Sequence, residues 1–233
     1  MKFPHNPKFN AQFDQIPGLV WYPYVGQDFE RSGQRIMVFA HNVPMKAENY
    51  ESKMREWAAK ATWADALEEY TYEQGFWTKT FRSFITAAVG LAGNFGYDSE
   101  LAITDKVDAF VNRIAYGNFI QDLVQSERAL ATADGDIVAR SKAINRQFLE
   151  ILAITHCICW GKNVFQYVTT LDGYKTLQHE DLNKLGFAYA LVENDRGSRM
   201  HVLKVHHPSM PNFDRYSSET QDILSNFLAK SNP

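Results

Sequence analysis

The sequence is poor in cysteine, in long apolar runs and in positive charge, and each shortage argues against a class of protein. Two cysteines among 233 residues are too few for a disulfide-stapled secreted scaffold or for a four-cysteine iron–sulfur cluster. No apolar run reaches the length of a membrane span, and prolines interrupt residues 1–18 where a secretory signal would lie. A net charge of -3 argues against a generally basic surface of the kind that binds nucleic acid non-specifically. It does not exclude a local basic groove. We therefore expect a cytoplasmic protein without membrane contact.

The content of apolar residues, 45% of the chain, is sufficient for a packed core, and helical and strand-like patterns alternate along it. Apolar strand patterns occupy 33–44, 114–120, 153–161 and 187–207, the last split in two by the turn at 194–197. Helical patterns occupy 47–70, 75–93, 137–152, 162–171 and 217–230.

This alternation predicts an α/β fold, a three-layer sandwich with a central, mostly parallel, four-stranded sheet. No linker or repeat divides the chain, so we expect a single domain over residues 31–233 with an N-terminal extension, residues 1–30, packed on it. In such folds ligands bind at the carboxyl ends of the parallel strands. The polar loops at those ends are therefore the candidate site.

Three short motifs lie at the predicted strand ends. Ala40-His41-Asn42 follows the first strand, Asn118 stands in the second, and His207-Pro208-Ser209 follows the last. These motifs resemble those of the uracil-DNA glycosylase superfamily, whose first motif ends in Asp or Asn and whose last motif is His-Pro-Ser. The segments CICWGKNVFQYV and WYPYVGQDF are similar to the family's third strand and to an N-terminal segment of uncharacterised bacterial members. The resemblance covers roughly residues 20–230, with the motifs in the family's order.

The resemblance implies a hydrolase of DNA repair that removes a damaged or deaminated base by cleaving its N-glycosidic bond. It implies His207 as the donor to the departing base, Asn42 as the residue that orients water, and Asn118 as the reader of the base edge. His41 and Ser209 would complete the base-binding set. The implied partner is DNA or a nucleotide, and no cofactor or metal is expected.

A second hypothesis stays open, in which the chain is a catalytically inactive member of the fold that binds a nucleotide, a nucleic acid or another small ligand. An amide at Asn42 can only orient water, and Ala40 stands where the family has glycine. The Gly117-Asn118 pair is also an ordinary turn sequence. Because adjacent strand residues point to opposite faces, His206 and His207 are a poor pair of metal ligands.

Three further groups of residues have both a structural and a functional interpretation. Cys157 and Cys159 are expected to be core residues rather than reactive thiols. Trp160 belongs to an aromatic set that forms either core or a stacking platform for a base. The densest basic group lies near the last motif in sequence and could contact a nucleic-acid backbone; it comprises Arg196, Arg199, Lys204 and Arg215.

Overall fold

The computed structural model describes residues 5–31, 33–41, 43–44, 76–90, 105–124, 135–183, 186–215 and 217–233. The strands in these ranges are β1 (Tyr24–Val25), β2 (Ile36–Ala40), β3 (Val43–Pro44), β4 (Ile114–Asn118), β5 (Leu123–Val124), β6 (His156–Trp160), β7 (Tyr174–Asp181), β8 (Ala188–Asn194) and β9 (Arg199–Val205). The helices are α1 (Asn10–Phe13), α2 (Phe76–Ala88), α3 (Asp105–Val111), α4 (Gly135–Ile151), α5 (Lys162–Thr169) and α6 (Ser218–Leu228). None of these described helices combines the length and apolar composition needed to cross a bilayer.

Seven of the strands form one mixed sheet in the order β1-β4-β2-β6-β9-β8-β7. The middle four strands are parallel to one another, whereas β1, β8 and β7 join by antiparallel pairing. The α/β class is therefore confirmed, and the sheet is wider than the four strands predicted. The predicted hairpin is also confirmed, because β8 and β9 pair antiparallel around the turn at 194–197.

The parallel strands are buried because helices cover both faces of the sheet. Every residue of β2, β4 and β6 is buried, as expected for strands whose two faces are both apolar. One face packs against α2, α3 and α6 through Phe81, Phe84, Val107, Val111, Leu224 and Phe227. The opposite face packs against the N-terminal segment, α4 and α5 through Phe9, Phe13, Ile144, Phe148, Val164 and Phe165.

The two cysteines belong to this second face. Cys157 and Cys159 are free and fully buried, and their Sγ atoms lie 3.7 Å apart. Burial raises the pKa of the Cys159 thiol, which keeps it protonated and unreactive. The prediction that both are core residues is confirmed.

The connection from α4 to β6 uses an alanine where glycine is usual. The backbone N–H of Ala153 donates to Glu150 O at 3.1 Å, and that of Ile154 donates to Leu149 O at 3.0 Å. This is the bonding pattern of a helix end closed by a left-handed residue. Ala153 has φ of 48°, a conformation that costs an L-residue about 1–2 kcal/mol.

We expect Ala153→Gly to raise the free energy of unfolding by about 0.5 kcal/mol. Glycine removes the strain of the left-handed conformation, which stabilises the folded state. It also increases the entropy of the unfolded chain, which offsets about 0.4–1 kcal/mol of this stabilisation. Urea unfolding measures the change. The matched control is Ala143→Gly, at an exposed position inside α4, which should lower stability by about 1 kcal/mol. A loss of stability in Ala153→Gly similar to that of the control would contradict the strain.

Candidate functional site

The four parallel strands end together at one edge of the sheet. Ala40 of β2 lies opposite Asn118 of β4, and Trp160 of β6 lies opposite Val205 of β9. The pairing continues past the strand ends, because the backbone N–H of Gly161 donates to Val205 O at 2.8 Å. The loops that carry the three motifs therefore leave the sheet at this carboxyl edge.

Asn118 is the last residue of β4 and is not in a turn. Its strand partner is Ala40, and Gly117 pairs with Phe39 in the same parallel register. The side chain of Asn118 is 4% exposed, so its amide lies in the interior at the end of the strand. The strand prediction is confirmed, and the alternative interpretation of Gly117-Asn118 as a turn pair is wrong.

His41 packs on the layer that contains α5. Its ring lies 6.2 Å from that of Tyr167, measured between centroids, and Tyr167 in turn lies 5.4 Å from Phe119. The carbonyl oxygen of His41 accepts a hydrogen bond from the backbone N–H of Ile120 at 2.9 Å. Asn42, the residue expected to orient water, lies outside the described residues.

His207 is half-buried and held by its own motif. Its Nδ1 lies 2.7 Å from Ser209 Oγ and accepts from the backbone N–H of Ser209 at 3.4 Å. Because a backbone N–H can only donate, its contact with Nδ1 favours the neutral tautomer that has the proton on Nε2. Ser209 is exposed and orients His207. In this tautomer Nε2 of His207 can donate a hydrogen bond to a ligand.

An aromatic cluster forms the floor beneath His207. The ring of Trp160 meets that of His207 edge-on at 5.8 Å, and it also contacts Tyr116 at 5.6 Å and Phe84 at 5.2 Å. Trp160 is 2% exposed, and its indole Nε1 finds no hydrogen-bond partner among the described residues. The core interpretation of Trp160 is therefore the correct one. The contact between Trp160 and His207 was not predicted from the sequence. The position of Trp160 directly before Gly161, at the end of β6, indicates that its ring lies at the carboxyl edge.

His206 points away from this floor. Its ring lies 5.6 Å from Phe187 and edge-on to it, and the Asn212 amide lies 2.9 Å from its Nδ1. Burial, followed by the nearby charge of Lys204, lowers the pKa of His206. Across the described part of the chain, no group of three or more His, Cys, Asp or Glu side chains is placed to hold a metal ion.

Two of the four basic residues near the last motif in sequence are separated from it in space, whereas Lys204 lies at the same end of β9 as the motif. Arg199 begins β9 and Arg196 lies in the preceding turn, whereas His207 follows the other end of the strand. Seven extended residues span about 20 Å. Arg215 donates to Ser83 Oγ at 2.9 Å. The structure therefore places the two hairpin arginines at the opposite edge from His207, not beside it.

A pair of buried histidines lies at that opposite, amino edge. His156 of β6 and His201 of β9 are partners in the parallel register, with ring centroids 5.0 Å apart. His201 Nε2 donates to Ser231 O at 3.1 Å, so its Nδ1 accepts from the Tyr189 hydroxyl at 2.8 Å. Burial, then the neighbouring His201, lowers the pKa of His156 from its ordinary 6.5 to about 4. Burial also lowers the pKa of His201.

Comparison of the chain with protein-family models, with curated proteins and with solved structures finds no match.

We expect Ser209→Ala to weaken the tautomeric preference of His207. In the parent protein the Nε2–H tautomer should dominate, because Nδ1 is engaged by Ser209. Without the hydroxyl, Nδ1 keeps only the longer backbone contact, and a mixture of tautomers should appear. The ¹⁵N chemical shifts of the ring at neutral pH measure this. Ser198→Ala, in the distant hairpin turn, is the control, and an unchanged His207 spectrum in Ser209→Ala would refute the orienting role.

We expect the protein to lose stability as the pH falls from about 6.5 to about 4, in part through His156. The folded state keeps this ring neutral while the unfolded chain binds a proton, so acid favours unfolding. Between pH 7 and pH 4.5 the contribution is about 2 kcal/mol. In His156→Gln the difference in unfolding free energy between these two pH values should shrink by that amount. The control is Gln178→Asn, on exposed β7, which removes no titratable group and should keep the parent's pH slope; an unchanged slope in His156→Gln would contradict the assignment.

Proposed function

We propose that this chain is a uracil-DNA glycosylase-like protein whose carboxyl edge binds a nucleobase and hydrolyses its N-glycosidic bond. The observation that carries the proposal is the parallel order β4-β2-β6-β9, since it brings the ends of the motif-bearing strands to one edge. The hydrogen-bonded His207-Pro208-Ser209 turn lies at the same edge. The resemblance of the motifs gives each of these positions a role.

In this reaction His207 would donate from Nε2 to the base carbonyl oxygen on which negative charge develops. A donor already held in place does not have to reorganise as the bond breaks, and removing such a donor typically lowers the rate by about 10²–10³. The neutral ring with a proton on Nε2 suits this role. Trp160 is buried beneath the His207 ring, meets it edge-on and would help to hold it in this position.

Asn118 and Asn42 would supply the remaining contacts. A carboxamide carries a donor and an acceptor side by side, which matches the edge of a pyrimidine or a purine. Asn118 has this group at the buried end of β4. Asn42 would orient the attacking water without accepting its proton, so the expected rate is lower than for an enzyme with a carboxylate at that position.

The alternative function is binding without hydrolysis, of a nucleotide, a nucleic acid or another small ligand. The position of Arg196 and Arg199 favours a small ligand over a duplex, because a duplex bound at the carboxyl edge would not reach these guanidinium groups. Asn42 favours binding without hydrolysis, because an amide can orient water but cannot accept its proton. Both functions use the same carboxyl edge and differ in whether the glycosidic bond is broken.

We expect the parent protein to release free base from oligonucleotides that carry uracil, hypoxanthine or xanthine. Single- and double-stranded substrates are tested at low salt, where phosphate contacts are strongest. His207→Ala should lower the rate by about 10²–10³, and Asn42→Asp should raise it because a carboxylate can take the proton. Met210→Ala, at an exposed position of the same loop, is the matched control and should retain the parent rate.

Thermal unfolding of each variant separates catalysis from folding. Loss of base release with an unchanged melting temperature in His207→Ala supports the enzyme. Loss of folding in that variant would make His207 a structural residue. Absence of release by both the parent and Asn42→Asp, together with nucleotide binding that His207→Ala weakens, would establish the alternative.

A further inference from the structure

A cavity lies at the amino edge of the sheet, at the opposite end of the strands from the candidate site. It has a volume of about 580 Å³ and opens between the end of α4, the β8–β9 turn and the first residues of β9. Small-molecule sites usually measure about 300–1,000 Å³. The residues that determine its chemistry are Leu149, Glu150, Ile154, Arg196, Arg199 and Met200.

The β8–β9 turn forms one wall of this cavity, and Arg146 connects it to α4. Arg146 Nε donates to Glu150 Oε1 at 2.9 Å, and its Nη2 donates to Asp195 Oδ2 at 3.0 Å. The Arg146–Asp195 ion pair lies next to Gly173. A Cβ at this glycine would lie 2.8 Å from Asp195 Oδ2, and its φ is 77°. A side chain at position 173 would therefore displace the Arg146–Asp195 ion pair.

The side chain of Asn194 stabilises the β8–β9 turn through hydrogen bonds to the backbone. Asn194 is 8% exposed, and its Oδ1 accepts from the backbone N–H groups of Arg196 at 3.0 Å and of Ser198 at 2.9 Å. The backbone N–H of Asn194 donates to Ser198 O at 2.9 Å. The cavity wall is thus preorganised, which reduces the entropy lost when a ligand binds.

Two guanidinium groups at the rim of the cavity retain donors for a ligand. Arg196 Nη2 lies 3.5 Å from Glu150 Oε2, and Arg199 Nε donates to Glu193 Oε2 at 2.8 Å. A guanidinium has five N–H donors, and the contacts of these two side chains with described residues use one each. Hydrogen bonds from Lys175, then from Arg199, lower the pKa of Glu193 and keep it ionised. Glu193 thereby holds Arg199 at the rim.

The apolar floor of the cavity is the part of its lining formed by Leu149, Ile154 and Met200, which belong to the buried core. The rest of the lining is largely polar and includes the Glu150 carboxylate beside the two guanidinium groups. Two cationic groups next to an apolar part of the lining suit a ligand with a hydrophobic body and one anionic group.

We propose that this cavity binds a small organic anion, with a carboxylate on Arg196 and Arg199 and a planar or aliphatic body on the apolar floor. The site is independent of the proposed glycosylase function, because it lies at the other edge of the sheet and shares no residue with it.

The experiment titrates benzoate and indole-3-acetate against the full chain by ligand-observed NMR at low salt. The uncharged amides, benzamide and indole-3-acetamide, are titrated in parallel. At least one carboxylate should bind saturably in the millimolar range or tighter, and its amide should bind at least tenfold more weakly, because a charge-assisted pair is lost. Arg199→Gln should weaken binding of the carboxylate by about tenfold.

Lys175→Gln is the matched control. Lys175 Nζ also pairs with Glu193, at 2.7 Å, but Lys175 lies on β7 and does not line the cavity. This variant removes one positive charge near the same carboxylate and should leave binding within about twofold of the parent. Circular dichroism verifies that both variants fold.

Three results would overturn the proposal. One is the absence of saturable binding by either carboxylate up to about 10 mM, which is weaker than a specific small-molecule site requires. Another is equal binding of each acid and its amide. The third is an equal loss of affinity in Lys175→Gln and Arg199→Gln, which would mean that the anion responds to general surface charge rather than to the cavity.

Discussion

The structure depends on the in-register parallel pairing of β2 with its two neighbours. Residues 36–40 are 5% exposed or less, and they pair with β4 on one side and with β6 on the other. Buried backbone N–H and C=O groups must find partners, so β2 must bind both neighbours along its full length. A shift of one residue would move Phe39 to the opposite layer and displace every strand end at the carboxyl edge.

The same constraint explains why polar side chains collect at the two edges. Between the edges, the parallel strands have apolar layers on both faces, and an unpaired polar group there would be costly. The carboxyl edge carries the His207-Pro208-Ser209 turn above Trp160. The amino edge carries the His156–His201 pair, in which His201 bonds to Tyr189 and the carbonyl of Ser231 and His156 Nδ1 lies 2.9 Å from Thr155 Oγ1. The polar and titratable side chains are therefore divided between the two ends of the parallel strands.

The elements that could be predicted are those with a strong local pattern. β2, β4 and β6 are short apolar runs, and the β8–β9 hairpin has a turn sequence between two such runs. β7 could not be predicted, because all but its first residue are exposed and its sequence YKTLQHED is polar; backbone pairing with β8 alone makes it a strand. β1 has two residues, too few to show a pattern, and it joins the sheet beside β4.

The sequence by itself determined the α/β class, the buried parallel strands and the position of each motif at a strand end, because these follow from local apolar periodicity and turn residues. It did not determine which polar residues would meet. Arg199 and His207 are close in sequence, yet an extended strand carries them to opposite edges. His207 and Trp160 are far apart in sequence, yet the pairing of β6 with β9 brings their rings together. Only tertiary structure decides such contacts, since strand direction and register, not sequence distance, place the side chains.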